Sequence, residues 1–178
     1  LKKNDYFLSI GRLTKQKNFI FLIKCFSKII KERNNIKLVI IGVGEEKNKI
    51  NNYIKTNNLE ENVILLGYQK NVYKFLKNSR AFILSSLWED PGFVLIEAMA
   101  TNCLVLSSDC SNGPKEIIEN KNGLLFKNNS ENDFILKFNQ LNKLSENEKK
   151  KFKLNAKKKI KKFSIFHHFQ QLEKIISN

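Results

Sequence analysis

Short apolar runs alternate along this chain with longer segments in which apolar residues recur every three or four positions. The runs span three to five residues and end at glycine or a polar residue, as strands do, whereas the longer segments have the spacing of amphipathic helices. We predict strands at 6–10, 37–41, 63–66, 81–85, 104–107 and 124–126, and helices at 18–32, 45–55, 72–77, 93–100, 115–119 and from 131 onward. Strands that alternate with helices form right-handed βαβ units. The sequence therefore predicts an α/β fold with a doubly wound parallel sheet covered by helices on both faces.

Length and charge narrow the class of protein. The 178 residues fit one domain with C-terminal helices over 145–178, and 42% of them are apolar, which is enough for a core. No apolar run approaches the roughly 20 residues of a membrane span, so transmembrane and disordered chains are excluded. The 32 Lys and Arg residues against 17 Asp and Glu give a net charge of +15. This excess indicates an anionic partner, either nucleic acid, an acidic membrane surface or a phosphorylated ligand.

The three cysteines indicate a reduced, cytoplasmic protein. Cys25, Cys103 and Cys110 are odd in number, form no CxxC pair and lie in or beside apolar runs. We therefore predict buried thiols rather than disulfides, a zinc site or a nucleophile, since neither His167 nor His168 falls in a motif that would pair with a catalytic thiol. The first residue is leucine rather than methionine, and we expect the chain to be part of a longer protein.

The loops after the first two predicted strands contain residues suited to phosphate. In a doubly wound sheet, ligands bind at the carboxyl ends of the strands, where the strand order reverses. Gly11 follows the first strand and precedes Arg12 and Lys17. An arginine fork with a mobile lysine suits a diphosphate, although a basic surface loop is an equal alternative. Gly42 and Gly44 follow the second strand but lack the third glycine of a dinucleotide fingerprint, so they indicate only a close approach to the backbone.

The strongest signal lies after the fourth predicted strand. Pro91 and Gly92 end a loop, and the apolar residues behind them start a helix whose free amide groups attract phosphate. Glu89 precedes this N-terminus, and Glu97 lies about 7 Å beyond Gly92 along the helix axis at 1.5 Å per residue. A carboxylate, anion-binding amides and a second carboxylate, in this order, fit a nucleoside diphosphate sugar. The alternative is that Glu97 is a buried, hydrogen-bonded helix residue and Glu89 a charge favoured by the helix dipole.

Four ordered motifs together resemble the group 1 retaining glycosyltransferases of the GT-B architecture. They are Ser9-Ile10-Gly11-Arg12-Leu13 with Lys17, Leu65-Leu66-Gly67-Tyr68, the pair Glu89 and Glu97 with seven residues between them, and Asn112-Gly113-Pro114-Lys115-Glu116-Ile117-Ile118. The resemblance covers nearly the whole chain. It implies a Rossmann-like, donor-binding C-terminal half, whose partner is an acceptor-binding N-terminal domain that is absent from this chain.

The resemblance also implies roles for individual residues. Arg12 and Lys17 hold the donor diphosphate, Glu97 takes the ribose hydroxyls and Glu89 contacts the donor sugar. The implied donor-binding set is Gly11, Arg12, Lys17, Gly42, Gly44, Gly67, Tyr68, Glu89, Gly92, Phe93, Val94, Leu95 and Glu97, with Glu89, Arg12 and Lys17 as the catalytic candidates.

In the same family the amides of 93–95 close on sugar and phosphate, and the loop at 67–68 borders the base. One departure from the family pattern lies beside these amides. Where many members have Gly-Phe-Gly, this chain has Asp90-Pro91-Gly92, in which Asp90 adds a charge and Pro91 lacks an N–H group.

The reaction implied by the resemblance is sugar transfer with retention at the anomeric carbon and without a metal. The sequence agrees on the metal, since no Asp-x-Asp or histidine cluster follows a predicted strand. Arg12, Lys17 and the helix amides would then stabilise the leaving diphosphate. The resemblance further implies a uridine diphosphate sugar as donor, with a glycan or lipid-linked acceptor in bacterial surface polysaccharide or lipopolysaccharide synthesis.

Most of the positive charge is concentrated in one segment. Nine lysines and no acidic residue lie within 149–162, and Phe152, Ala156, Ile160 and Phe163 recur at helical spacing along this segment and just after it. Either this helix packs its apolar stripe on the domain and leaves the lysines solvated, or it attaches the protein to anionic lipid at the inner face of the cytoplasmic membrane. Nucleic acid is the least favoured partner, because no recognition-helix motif and no interleaved stacking aromatics are present.

Two enzyme-level alternatives remain open. The chain could be a non-catalytic nucleotide-sugar binding module, or half of an epimerase or phosphorylase of the same GT-B plan. The N-terminal half would discriminate between them. In each case we expect this chain alone to bind nucleoside diphosphate weakly and to transfer nothing.

Overall fold

The computed structural model describes residues 5–33 and 36–164, and its centre is a six-stranded parallel sheet. The strands are β1 Tyr6–Ile10, β2 Lys37–Ile41, β3 Val63–Leu65, β4 Ala81–Leu84, β5 Leu104–Ser108 and β6 Leu124–Phe126. Their order across the sheet is β3-β2-β1-β4-β5-β6. The order reverses between β1 and β4, which confirms the predicted doubly wound, Rossmann-like sheet.

Helices connect the strands and cover both faces of the sheet. They are α1 Phe19–Glu32, α2 Lys47–Thr56, α3 Tyr73–Asn78, α4 Phe93–Ala100, α5 Pro114–Ile117, α6 Glu131–Asn142 and α7 Glu146–Ile160, with 3₁₀ turns at Lys15–Lys17 and Lys161–Phe163. Buried residues of α1, α2 and α6 pack on one face, and those of α3, α4, α5 and α7 on the other. Successive strand residues serve opposite cores, so that Phe7 packs with α1 and α6 whereas Leu8 packs with α4.

The region predicted to be helical from 131 onward contains two helices in the described residues. α6 ends at Asn142, and α7 begins at a capping box in which the Ser145 hydroxyl accepts from the Glu148 amide and the Glu148 carboxylate accepts from the Ser145 amide. This reciprocal pair satisfies backbone groups that a helix end would leave bare, so a new helix starts there. Residues 165–178, including His167 and His168, lie outside the described part.

An aromatic cluster anchors the loop between β1 and α1. The Phe7 ring of β1 contacts Phe26 of α1 and Phe138 of α6, with ring centroids 5.7 and 4.7 Å apart, and Phe134 joins from α6. Such pairs add to the stabilisation from burial alone. The loop that follows β1 is therefore attached at both ends to the packed core.

The three cysteines are buried thiols, as predicted. Burial raises the pKa of Cys25 to about 12 and that of Cys103 to about 11, and it also raises the pKa of Cys110. These thiols stay protonated near neutral pH and behave as small apolar residues. Among the described residues, no helix is long and apolar enough to cross a membrane.

Candidate functional site

The reversal of strand order brings two predicted site loops side by side. β1 and β4 are neighbours in the sheet, although 70 residues separate them in the chain. The loop after β1 contains Arg12 and Lys17, and the loop after β4 contains Glu89 and leads into α4. Both loops lie at the carboxyl edge, where ligands of doubly wound sheets bind.

A buried ion pair joins these loops. The Lys17 ammonium lies 2.5 Å from Glu89 Oε1, and the two side chains are only 14% and 6% exposed. The hydroxyl of the fully buried Ser86 donates a hydrogen bond to the same carboxylate oxygen. Glu89 Oε2 accepts no hydrogen bond within the described residues and lies close to Gly92 at the start of α4. One carboxylate oxygen is thus held by the protein, and the other is available to a ligand.

Three further hydrogen bonds fasten the two loops together. The Ser85 hydroxyl donates to the Lys17 carbonyl at 2.8 Å, and the Leu87 amide donates to the Gln16 carbonyl at 2.8 Å. The Gln16 side chain donates in return to the Trp88 carbonyl at 2.9 Å. These contacts fix the position of the Lys17 backbone against β4.

Sequence reasoning missed these supporting residues. Ser85 and Ser86 are two consecutive hydroxyl residues, buried at the end of an apolar strand. That position is a signal the sequence contains, because buried hydroxyls require hydrogen-bond partners. Gln16 offers no comparable signal.

The N-terminus of α4 is open to the site at its first two amides. Gly92 has a φ of 84°, a left-handed conformation that favours glycine, and α4 begins at the next residue. The amides of Phe93 and Val94 donate to no described backbone group, whereas the Leu95 amide donates to the Gly92 carbonyl at 3.0 Å. The Leu95 amide is thus already bonded at the start of the helix, and its implied role in donor binding stays a prediction. Phe93 and Val94 remain free for an anion.

Gly42 and Gly44 make room for the chain itself. A Cβ at Gly42 would lie 1.9 Å from the Gly11 carbonyl oxygen, and one at Gly44 would lie 2.4 Å from the Leu13 carbonyl oxygen. The loop after β1 also donates from the Leu13 amide to the Val43 carbonyl at 2.9 Å. The predicted close approach is confirmed, and the group that approaches is the β1 loop. The two glycines therefore support that loop, and donor binding by them stays a prediction.

The Asn112-Gly113 motif packs against the same loop. Gly113 has a φ of 92°, and a Cβ there would lie 1.7 Å from the Pro91 carbonyl oxygen. The Glu89 amide donates to the Ser111 carbonyl at 3.3 Å, and Trp88 pairs with Ser111 as an isolated bridge. The turn after β5 thus supports the Glu89 loop from behind.

Arg12 and Glu97 are placed differently from Lys17 and Glu89. The Arg12 side chain is exposed, and Glu97 is half-buried on the second turn of α4. Neither side chain forms an ion pair or a hydrogen bond within the described residues. The structure therefore does not show the buried, hydrogen-bonded Glu97 that the alternative interpretation required, and both charges are available.

Large apolar side chains are exposed along the same edge. Gly67, with a φ of 66°, turns the chain after β3, and Tyr68 behind it is 74% exposed. Val43, Trp88 and Phe93 are between 48% and 64% exposed. A run of exposed apolar side chains beside unpaired charges is typical of a surface covered by a ligand or another domain.

The described residues also line cavities away from the Lys17–Glu89 pair. One of about 330 Å³ opens at the amino edge of the sheet, where Arg80, Glu146 and Lys149 are among its lining residues. The carboxyl edge is an open surface by comparison, but its chemistry and its place at the strand reversal make it the stronger candidate site. Within residues 5–33 and 36–164, no group of three or more His, Cys, Asp or Glu side chains could hold a metal ion.

The family model for group 1 glycosyl transferases matches residues 1–159. The chain belongs to this family. Of the enzyme-level alternatives, the family assignment favours a glycosyltransferase.

Similar proteins agree with this assignment. The chain is 36% identical over 164 residues, 90% of its length and 43% of the relative's, to an N-acetylgalactosamine-N,N'-diacetylbacillosaminyl-diphospho-undecaprenol 4-alpha-N-acetylgalactosaminyltransferase of Campylobacter jejuni. A crystal structure of a mutant of TarM from S. aureus, in complex with fondaparinux, alpha-GlcNAc-glycerol and UDP, superposes with a TM-score of 0.88 at 29% identity and covers 100% of this chain and 36% of that one.

The matched region corresponds to one half of a GT-B enzyme. The C-terminal domain of a group 1 glycosyl transferase (LpcC) from Francisella tularensis superposes with a TM-score of 0.78 at 21% identity, over 92% of this chain and 89% of that domain. This likeness shows the fold. The chain spans less than half of the length of the curated relatives it matches.

Proposed function

We propose that this chain is the donor-binding domain of a retaining glycosyltransferase that uses a UDP-sugar. The observation that carries the proposal is the Lys17–Glu89 pair at the strand reversal, beside the two free amides of α4. The crystallised TarM mutant, which shares this fold, contains UDP. The paired charges and the amides together provide cations, N–H donors and a carboxylate, the groups that a diphosphate and a sugar require.

Donor binding would rearrange the ion pair. A diphosphate that reaches Lys17 competes with Glu89 for the ammonium, and the exposed Arg12 adds a second cation. Phosphate oxygens at the amides of Phe93 and Val94 gain from the α4 dipole. Glu89, released in part from Lys17 but still held by Ser86, then accepts from a hydroxyl of the donor sugar.

The remaining residues of the edge would bind the nucleoside. The unpaired carboxylate of Glu97 lies on the second turn of α4 and accepts from ribose hydroxyls, which are donors. Tyr68 and the Gly67 turn border the base, because the exposed ring offers a flat apolar face for stacking.

In the proposed reaction the bond between the anomeric carbon and the diphosphate oxygen breaks, and a hydroxyl oxygen of the acceptor bonds to the same face of that carbon. The configuration is thereby retained, and UDP leaves and takes up the hydroxyl proton. Negative charge grows on the diphosphate as the bond breaks. Arg12, Lys17 and the α4 amides would stabilise that charge, and the proposed reaction therefore requires no metal ion.

The acceptor and location are proposed from the relatives. The Campylobacter jejuni relative acts on a diphospho-undecaprenol substrate. We propose a glycan or lipid-linked acceptor in bacterial surface polysaccharide or lipopolysaccharide synthesis, with the chain in the cytoplasm at the inner face of the membrane. The acceptor would be bound by an N-terminal domain of a longer protein, which would cover the exposed apolar edge.

Calorimetry with UDP tests the donor site. Arg12→Ala and Lys17→Ala are each expected to weaken UDP binding by roughly 1.5 to 3 kcal/mol, the scale of a hydrogen bond to a charged group. Lys31→Ala serves as a matched control, because Lys31 is exposed at the far end of α1 and forms no described ion pair. Unchanged affinity in both site variants, or an equal loss in the control, would refute the assignment.

A further inference from the structure

Helix α7 presents a cationic face that is not used in packing. Its apolar side packs on the domain through the buried Ala156 and the partly buried Phe152 and Ile160. At 3.6 residues per turn, Lys150 and Lys158 flank Leu154 on the opposite side of the helix, about 40° away on either hand. The helix therefore has one face committed to the core and another directed to solvent.

The solvent face consists of lysines around one apolar residue. We call it the α7 lysine face and define it as Lys150, Lys151, Leu154, Lys157 and Lys158. All four lysines are exposed and none forms an ion pair within the described residues. Leu154 is 54% exposed at the centre.

The ion pairs that α7 forms involve lysines outside the α7 lysine face, so the charges of the face are not neutralised. Lys149 pairs with Glu146 at 2.7 Å, and Lys159 pairs with Glu119 at 2.6 Å, both outside the face. No acidic residue follows Glu148 up to residue 164. The face is thus a concentrated positive patch, unlike α1, where Lys24 and Lys28 share Glu131.

A basic cavity extends the patch at the C-terminal end of α7. It has a volume of about 220 Å³, and its lining includes Lys121, Lys158 and Lys162 besides Glu119, whose charge is paired with Lys159. The Asn155 side chain donates to the Lys121 carbonyl at 2.9 Å and so fixes this loop against α7. A phosphate group could reach several ammonium groups there at once.

We propose that the α7 lysine face docks the protein on an anionic lipid bilayer. The inference deepens the membrane location in the proposed function and rests on it. Lysines at a bilayer surface are attracted to anionic headgroups, and an apolar residue among them enters the boundary between headgroups and acyl chains. Leu154 favours lipid over nucleic acid, because an exposed leucine gains nothing among the phosphates of a duplex. The adjacent basic cavity accommodates a lipid phosphate.

Sedimentation with lipid vesicles tests the inference on the 178-residue chain. We expect it to bind vesicles that contain phosphatidylglycerol, to ignore vesicles of phosphatidylcholine alone, and to dissociate as salt rises. The variant K150Q/K151Q/K157Q/K158Q should bind about 600-fold more weakly, at about fivefold for each of the four lysines removed. Leu154→Gln should weaken binding several-fold while leaving the salt dependence intact.

A matched control variant distinguishes the effect of the α7 lysine face on vesicle binding from the effect of net charge. The variant K31Q/K47Q/K55Q/K77Q removes four exposed helical lysines that form no described ion pair, and it should bind vesicles nearly as the parent chain does. An equal loss in this control would overturn the inference, as would tighter binding to duplex DNA or RNA than to vesicles at equal ionic strength.

A donor-site variant keeps the test of vesicle binding independent of the test of nucleotide binding. Vesicle binding that persists in Arg12→Ala would support the lysine face independently of nucleotide binding. Circular dichroism of the quadruple variant should match the parent chain, since all four side chains are exposed. Vesicle binding that is unchanged in a folded quadruple variant would refute the inference.

Discussion

At the scale of single residues, the pair Lys17 and Glu89 is asymmetric. Glu89 is buried and accepts a hydrogen bond from the Ser86 hydroxyl, whereas Lys17 has a long side chain with 14% of its surface exposed. A buried carboxylate without its cation is costly, but a lysine without its carboxylate can turn its ammonium toward water. Removal of the Lys17 cation should therefore destabilise the folded state more than removal of the Glu89 charge.

Urea denaturation of two variants measures this asymmetry. Lys17→Met should lower the free energy of unfolding by about 2 to 4 kcal/mol, because it leaves Glu89 buried without a cation. Glu89→Gln should cost only about 1 kcal/mol, since the amide keeps a hydrogen-bonding group at Ser86. Lys31→Met, an exposed control, should stay within about 0.5 kcal/mol. The reverse order of the two costs would contradict the geometry.

At the scale of elements, Glu131 ties α6 to α1. Its carboxylate lies 2.5 Å from the Lys24 ammonium and also accepts from Lys28, both on α1. The hydrogen bond from Lys24 contributes most, followed by that from Lys28, and together they hold the pKa of Glu131 below its ordinary value. Glu131 is also the first residue of α6, where a negative charge favours the helix dipole.

The lowered pKa predicts how stability changes with pH. The contribution of Glu131 is fully present above its unfolded pKa, near 4.3, and is lost as the pH falls through the lower folded value. Glu131→Gln should thus lower stability at neutral pH by no more than about 1 kcal/mol, as for a partly exposed pair. In thermal melts the difference should shrink below about pH 4. Glu60→Gln, which removes an exposed carboxylate without a described partner, should show no such pH-dependent difference.

At the scale of the whole molecule, the carboxyl edge is an open surface with exposed apolar side chains. A nucleotide bound there meets only one wall of protein within the described residues. Binding should be correspondingly weak, and the transfer reaction should require the proposed acceptor-binding domain.

Thermal shift and a transfer assay on the chain test this expectation. UDP at ten times its Kd stabilises the folded state by about 1.4 kcal/mol, or roughly 3 to 6 °C in Tm for a domain of this size. ADP and GDP should shift it less. The chain alone should transfer no sugar, and detectable transfer would contradict the need for a second domain.

Much of the fold follows from local pattern. The six strands and the first helices lie within two residues of the predicted positions. The reason is that the apolar side chains that face the core recur along the chain with the period of the strand or helix. The break between α6 and α7 depends on the Ser145–Glu148 capping box rather than on periodicity, and it coincides with position 145, where the predicted C-terminal helices begin. Likewise the 3₁₀ turn at Lys15–Lys17 interrupts a segment without any apolar period.

The sequence by itself determined the α/β class, the glycine turns and the loops that carry Arg12, Lys17, Glu89 and Glu97, because each of these depends on residues close in the chain. Only the tertiary structure decided which of them meet. Lys17 and Glu89 are 72 positions apart and pair because β1 and β4 are neighbours at the strand reversal. The same holds for Gly42, whose missing side chain accommodates Gly11. Contacts between distant loops depend on strand order, a property of the whole sheet that local pattern does not encode.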